Sequence, residues 1–95
     1  MTALYHVSVL DLHRDGRHLE ANVCVNGTTV ELTLRVQPGF PLRWGTWGEP
    51  TDWCARPDLL PDGELERRAW VAEAIEAVNH ASVLWSVPAT QEVRS

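Results

Sequence analysis

The sequence predicts an α+β domain: a three-stranded antiparallel β-meander packed against one C-terminal α-helix, joined by a long ordered loop rich in Trp, Pro and Gly. Three observations carry that prediction. From Arg17 to Val36, apolar and polar residues alternate on both sides of Asn26-Gly27, the pattern of a hairpin closed by a two-residue turn. Residues 62–82 repeat apolar side chains at helical spacing,. Between these stretches, residues 37–61 hold five Pro and three Gly, which no long helix or strand tolerates,. The expected elements are strands at about 3–12, 17–25 and 28–36, a loop at 37–61, a helix at about 62–82 and a frayed tail at 89–95, in a single domain over 1–95,.

Ala3 to Leu12 forms the first strand, and two turns compete for its connection to the second. A three-residue loop Arg14-Asp15-Gly16, with Gly16 left-handed, sets Tyr5, Val7 and Val9 on the core face opposite Val25, Val23 and Ala21,. An Asp15-Gly16 turn instead brings Leu4, Leu10 and Leu12 inward and sets His13 opposite His18. The first is preferred, because the second also buries His6 and Ser8. A bulge near Asp11 brings Leu12 inward as well.

In the hairpin, both central residues of a type I′ turn need positive φ, and Asn26 and Gly27 tolerate it best. That turn sets Val25 opposite Thr28, Val23 opposite Val30, Ala21 opposite Leu32 and Leu19 opposite Leu34. Because side chains alternate with period two, Leu19, Ala21, Val23 and Val25 share a face with Val30, Leu32, Leu34 and Val36. The opposite face carries His18, Glu20, Asn22, Cys24, Glu31, Thr33 and Arg35.

The loop contains Phe40, Trp44, Trp47 and Trp53, which flexible linkers lack, so it is expected to be ordered,. A short edge strand near Leu42-Arg43-Trp44 and a helical turn from Thr51 to Ala55 fit its composition. In the helix, Asp62 is placed to cap the N-terminus, with Glu64 and Glu66 in the first turn where the dipole favours acids. At 100° per residue, Trp70, Val71, Ala74, Ile75, Val78, Ala81 and Ser82 fall in one sector, extended by Trp85 if the helix runs on,. Glu66, Glu73, Glu76, Asn79 and His80 fall on the other side. Val87 precedes Pro88, so the helix is expected to end by that point. Residues 83–87 read alternatively as a short fourth strand.

Ninety-five residues with 44% hydrophobic content and five Trp are enough for one core,. Two cysteines, Cys24 and Cys54, do not make a disulfide framework and are expected as free thiols, a bridge between them being the rarer outcome,. The first residues lack the features of a signal peptide, and no apolar run approaches the roughly 20 residues of a membrane span, so a soluble, cytoplasmic location is expected.

The net charge of -5 is unevenly placed. Residues 1–48 hold four acids and four Arg, whereas 49–95 hold nine acids and four Arg. An acidic half repels phosphates, which makes nucleic acid a poor partner and a larger protein with a basic surface a better one. All eight basic residues are Arg, a pattern that coding bias explains better than selection for function does.

No recognisable catalytic pattern appears. His13 and His18 flank the first turn, but a zinc site needs three or four ligands, and no Cys-x-x-Cys or His-Glu-x-x-His is present,. Cys54 has no His nearby in the chain to serve as a general base,. Glycine loops for phosphates and the Gly-x-Ser-x-Gly elbow are missing too. No enzyme activity, cofactor or metal is therefore expected.

The Trp-rich loop stands out. Arg43-Trp44-Gly45-Thr46-Trp47-Gly48 sets two indoles three residues apart, and exposed Trp and Arg are enriched in binding hot spots,. The opposing expectation is that these indoles complete a small core; Trp44 or Trp53 inward with Trp47 outward satisfies both. The functional expectation is a small acidic non-enzymatic interaction protein that binds a larger protein through Arg43, Trp44, Trp47, Glu66, Glu73 and Glu76. By analogy of size and charge alone, that is the profile of the accessory or inhibitory factors used by phages and mobile elements. The rival is a Trp-loop module for a saccharide or single-stranded nucleic acid. A homodimer through a sheet edge stays open, because three strands leave two edges without a partner.

Overall fold

The computed structural model describes residues 5–37 and 42–94, except for the side chains of 84–94. It is an α+β domain in which one antiparallel sheet packs against the C-terminal helix. The strands are β1 (Val7–Asp15), β2 (His18–Val25), β3 (Thr28–Gln37) and β4 (Arg43–Gly45), in that order across the sheet. A helical turn α1 (Pro50–Trp53), a 3₁₀ turn (Pro57–Leu59) and the helix α2 (Glu64–Arg94) follow. The sheet therefore has four strands where the meander predicted three. β4 is only three residues long, too short for alternation to mark it with certainty, and it falls at the edge-strand position near Leu42-Arg43-Trp44.

The β2–β3 hairpin has the expected register, Val25↔Thr28 through Leu19↔Leu34. Asn26 and Gly27 have φ of 51° and 89°, the positive values a type I′ turn demands,. The β1–β2 connection differs from both expected turns. Asp15 pairs with His18, so the central residues are Gly16 and Arg17, with Gly16 alone at positive φ (61°). Positive φ at the first central residue only is the type II′ arrangement, which favours Gly there. The register then slips between Val9 and Asp11. This bulge lets Val7, Val9 and Leu12 all pack on the core while Leu10 stays 54% exposed,. Val7 faces Val25 and Val9 faces Val23, displaced from the expected pairing, and His13 lies opposite Glu20 rather than His18.

The core lies on one side of the sheet. Leu19, Ala21, Val23, Val25, Val30, Leu32 and Leu34 supply its floor, and Trp70, Ala74 and Val78 of α2 close it from above. These three share one helix face, as the periodicity requires. Each fully buried Val or Leu contributes roughly 1.5–3 kcal/mol relative to exposure, so this floor dominates the stability.

Two helix boundaries depart from expectation. The Arg67 N–H donates to the Gly63 carbonyl at 2.9 Å, which makes Gly63 rather than Asp62 the flanking cap residue,. At the other end α2 runs to Arg94, past Pro88. A proline inside a helix removes one backbone bond at a cost of about 3 kcal/mol, which opposes continuation without forbidding it. Residues 83–87 are thus helical, not a fourth strand. The side chain of Trp85 and those of the tail expected to fray lie outside the described residues.

The connector is tied to the sheet at both ends. β4 pairs with the end of β3, from Arg35↔Gly45 to Gln37↔Arg43. Farther along the same edge, Cys54 bridges to Leu32, and the Ala55 N–H donates to the Glu31 carbonyl at 2.9 Å. Between these anchors the chain rises over the core side and buries Trp53. The β3 edge, left open in a three-stranded meander, is thereby covered.

Candidate functional site

The residues expected to bind a partner do not form one surface. Trp44 is buried (7% exposed). Its indole Nε1–H donates to Ser82 Oγ at 3.0 Å, while its backbone is held by Asn79. The Trp44 N–H donates to Asn79 Oδ1 at 2.8 Å, and Asn79 Nδ2 donates to the Trp44 carbonyl at 3.0 Å. The Asn79 amide thus pairs with β4 as another strand would, with α2 standing in for a fifth strand at this edge. Arg43 and Glu76, expected on two separate binding surfaces, pair with each other at 3.1 Å. Both side chains are at least half exposed, so the pair contributes little to stability,. Glu66 is exposed and Glu73 is half-buried. Of the six residues expected to bind, Trp47 is the one that presents a large apolar surface, being 50% exposed.

Trp47 forms one wall of an open cleft at the end of the sheet where β1 turns into β2. The cleft holds about 670 Å³ and is lined by Arg14, Arg17, His18, Arg35, Val36, Leu42, Trp47 and Gly16. Topology explains the convergence. Arg14 and Arg17 flank Gly16, and the Val36 N–H donates to the Arg17 carbonyl at 3.0 Å. Register places His18 beside Arg35, and β4 carries Leu42 and Trp47 to the same end.

The charge of this cleft opposes that of the chain as a whole. Among the described residues, Arg43, Arg56 and Arg68 are ion-paired, whereas Arg14, Arg17, Arg35 and Arg67 have no carboxylate partner, and the first three of these line the cleft. The Arg14 guanidinium instead sits over the Trp44 ring, 5.7 Å from its centroid, and Arg14 Nε donates to the Gly16 carbonyl at 3.4 Å. Trp44 therefore acts from below, as a platform that holds Arg14 at the cleft wall. The apolar share comes from Leu42, 75% exposed, and Trp47. A concave site with cationic groups beside exposed apolar side chains suits a ligand that is both anionic and apolar.

The hairpin register already implied His18 beside Arg35, but summing charge over residues 1–48 concealed the local excess. Arg14 and Leu42 lay beyond sequence reasoning, since their approach depends on the Gly16-Arg17 turn and on β4.

Both cysteines are free thiols. Burial pushes the Cys54 thiol above its ordinary pKa of 9.0, a backbone hydrogen bond at Arg56 opposes the rise, and Asp58 adds to it, so Cys54 is held as a poor nucleophile,. The exposed Arg56 guanidinium bonds Asp58 and lowers its carboxyl pKa, a local surface pairing. Among the described residues, no three His, Cys, Asp or Glu side chains come together as a metal site. Nor, among the described residues, is any helix long and apolar enough to cross a membrane. The chain matches no protein-family model, no curated protein and no solved structure.

Proposed function

We propose that this chain is a non-enzymatic interaction protein, an accessory or inhibitory factor that docks on a larger protein through the face bearing Trp47. The observation that carries this reading is the exposure of Trp47 and Leu42 side by side in a cleft rimmed by unpaired arginines. Aromatic anchors ringed by polar groups are the pattern of interaction hot spots. The acidic side of α2 is the weaker surface, because Arg43 already engages Glu76 and Glu73 is half-buried. The partner's basic surface expected from net charge accordingly gives way to one that complements a local cationic cleft.

Affinity purification from the native host tests this with the wild-type chain, an L42S/W47S variant and an E66Q/E73Q/E76Q variant. The partner is identified by mass spectrometry and the complex rebuilt from purified components. The expected result is a stoichiometric complex with wild type and with the triple variant, lost with L42S/W47S. Loss with the triple variant and retention by L42S/W47S would move the interface to the helix and overturn the proposal.

A further inference from the structure

We infer that the cleft receives a short acidic segment of the partner, in which a bulky apolar side chain is flanked by carboxylates; this deepens the docking role proposed above and rests on it. Two features of the cleft specify the two halves of that ligand. Arg14, Arg17 and Arg35 lack internal carboxylates, although the chain carries 13 acidic residues to 8 basic ones. In a chain with that excess of acids, three uncompensated guanidinium groups lining one cleft form a local site for anions. Leu42 and Trp47, beside them, call for an apolar side chain between the anionic groups.

The overall charge then selects among anions. A nucleic acid strand carries a phosphate at every residue and runs beyond a cleft of about 670 Å³ onto a surface with net charge -5. Screening over roughly 8–10 Å confines the cleft's attraction to its immediate surroundings, so a long polyanion meets repulsion elsewhere. A short peptide places its carboxylates only where the arginines are. Arg also matches carboxylates bidentately. Leu65, 79% exposed between Glu64 and Glu66, gives a second copy of this chain the same chemistry. It begins α2 beside Tyr5, near the β2–β3 turn, whereas the cleft lies at the β1–β2 turn. Two copies that each carry a net charge of -5 repel one another,, which favours a separate partner.

The test titrates the full chain by calorimetry with acetyl-Glu-Glu-Leu-Phe-Glu-Asp-amide, its Gln/Asn analogue and an analogue with Gly-Ser replacing Leu-Phe. Trp emission is followed in parallel. The acidic apolar peptide is expected to bind at least about tenfold more tightly than either analogue, a difference of about 1.4 kcal/mol. R17Q and R35Q should each weaken it by about tenfold, and affinity should fall with added salt. R17Q lies in an exposed turn, so its effect remains readable if R35Q disturbs β3. Equal binding of the acidic and Gln/Asn peptides would overturn the inference. So would tighter binding of an eight-residue oligothymidylate, or concentration-dependent self-association abolished by L65S. If the peptides fail while the L42S/W47S-sensitive partner is still captured, the ligand assignment falls and the docking role stands. If the peptide binds and no partner is captured, the reverse holds.

Discussion

Replacing Asn79 by Ala removes the side chain that, among the described residues, satisfies both backbone groups of Trp44. The two bonds, 2.8 and 3.0 Å long, join β4 to α2 in a part-buried setting. Each such bond contributes about 0.5–1.5 kcal/mol net, so their loss costs about 1–3 kcal/mol. Ala returns roughly 0.5 kcal/mol through its higher helix propensity, which leaves a net destabilisation of about 0.5–2.5 kcal/mol. For a domain of this size that corresponds to a fall in Tm of roughly 2–20 °C. Urea unfolding followed by Trp fluorescence measures it, with His80→Ala as the control. His80 is exposed on the same helix, so that substitution gains the propensity without losing a contact. Hydrogen exchange at the Trp44 amide gives an independent readout, and N79A should accelerate it selectively. An N79A variant as stable as H80A, with Trp44 exchange unchanged, would refute the bridging role.

Two further outcomes test the core and its thiol. Ala74 is 0% exposed where α2 meets the sheet, so A74L should overpack that contact and cost about 1–3 kcal/mol in chemical unfolding; no loss would mean the helix stands farther off. Half-exposed Cys24 should react with a thiol reagent in the folded protein, whereas buried Cys54 should react only on unfolding. Because burial raises the Cys54 pKa, the folded state holds that proton more tightly. Its contribution is therefore fully present below pH 9.0 and is lost as pH climbs through the higher folded value,. C54A should flatten the alkaline limb of the stability profile, and an unchanged limb would assign it elsewhere.

The hairpin was legible because Asn26-Gly27 and a period-two pattern specify the same register independently. β1 was harder. Its bulge spends one residue at Leu10, and a pattern that changes phase midway supports two registers about equally,. In the connector, β4 and α1 have three and four residues, shorter than the period needed to recognise them. Asn79 shows a deeper limit of helical periodicity. A polar side chain opposite the core stripe reads as solvated, yet this one faces backbone, because β4 wraps far enough around to meet it. The same wrapping buried Trp44, turned Arg43 to pair with Glu76, and left Trp47 on the surface. For the candidate site, sequence reasoning found the indole but missed the arginines, since opposite charges separated along the chain cancelled in the sum.

The Leu10 bulge has a consequence for how the chain avoids polymerising. With the outer side of β3 covered by β4 and by Cys54–Ala55, β1 is the long strand whose flank faces outward among the described residues. An arriving strand that matches Val7–Val9 falls out of step beyond the irregularity before Asp11, and one that matches Asp11–Asp15 falls out of step before it. Neither gains a full-length ladder. A single surplus residue thus serves as a zip-stop: it denies a growing fibril its template while leaving the interior complete.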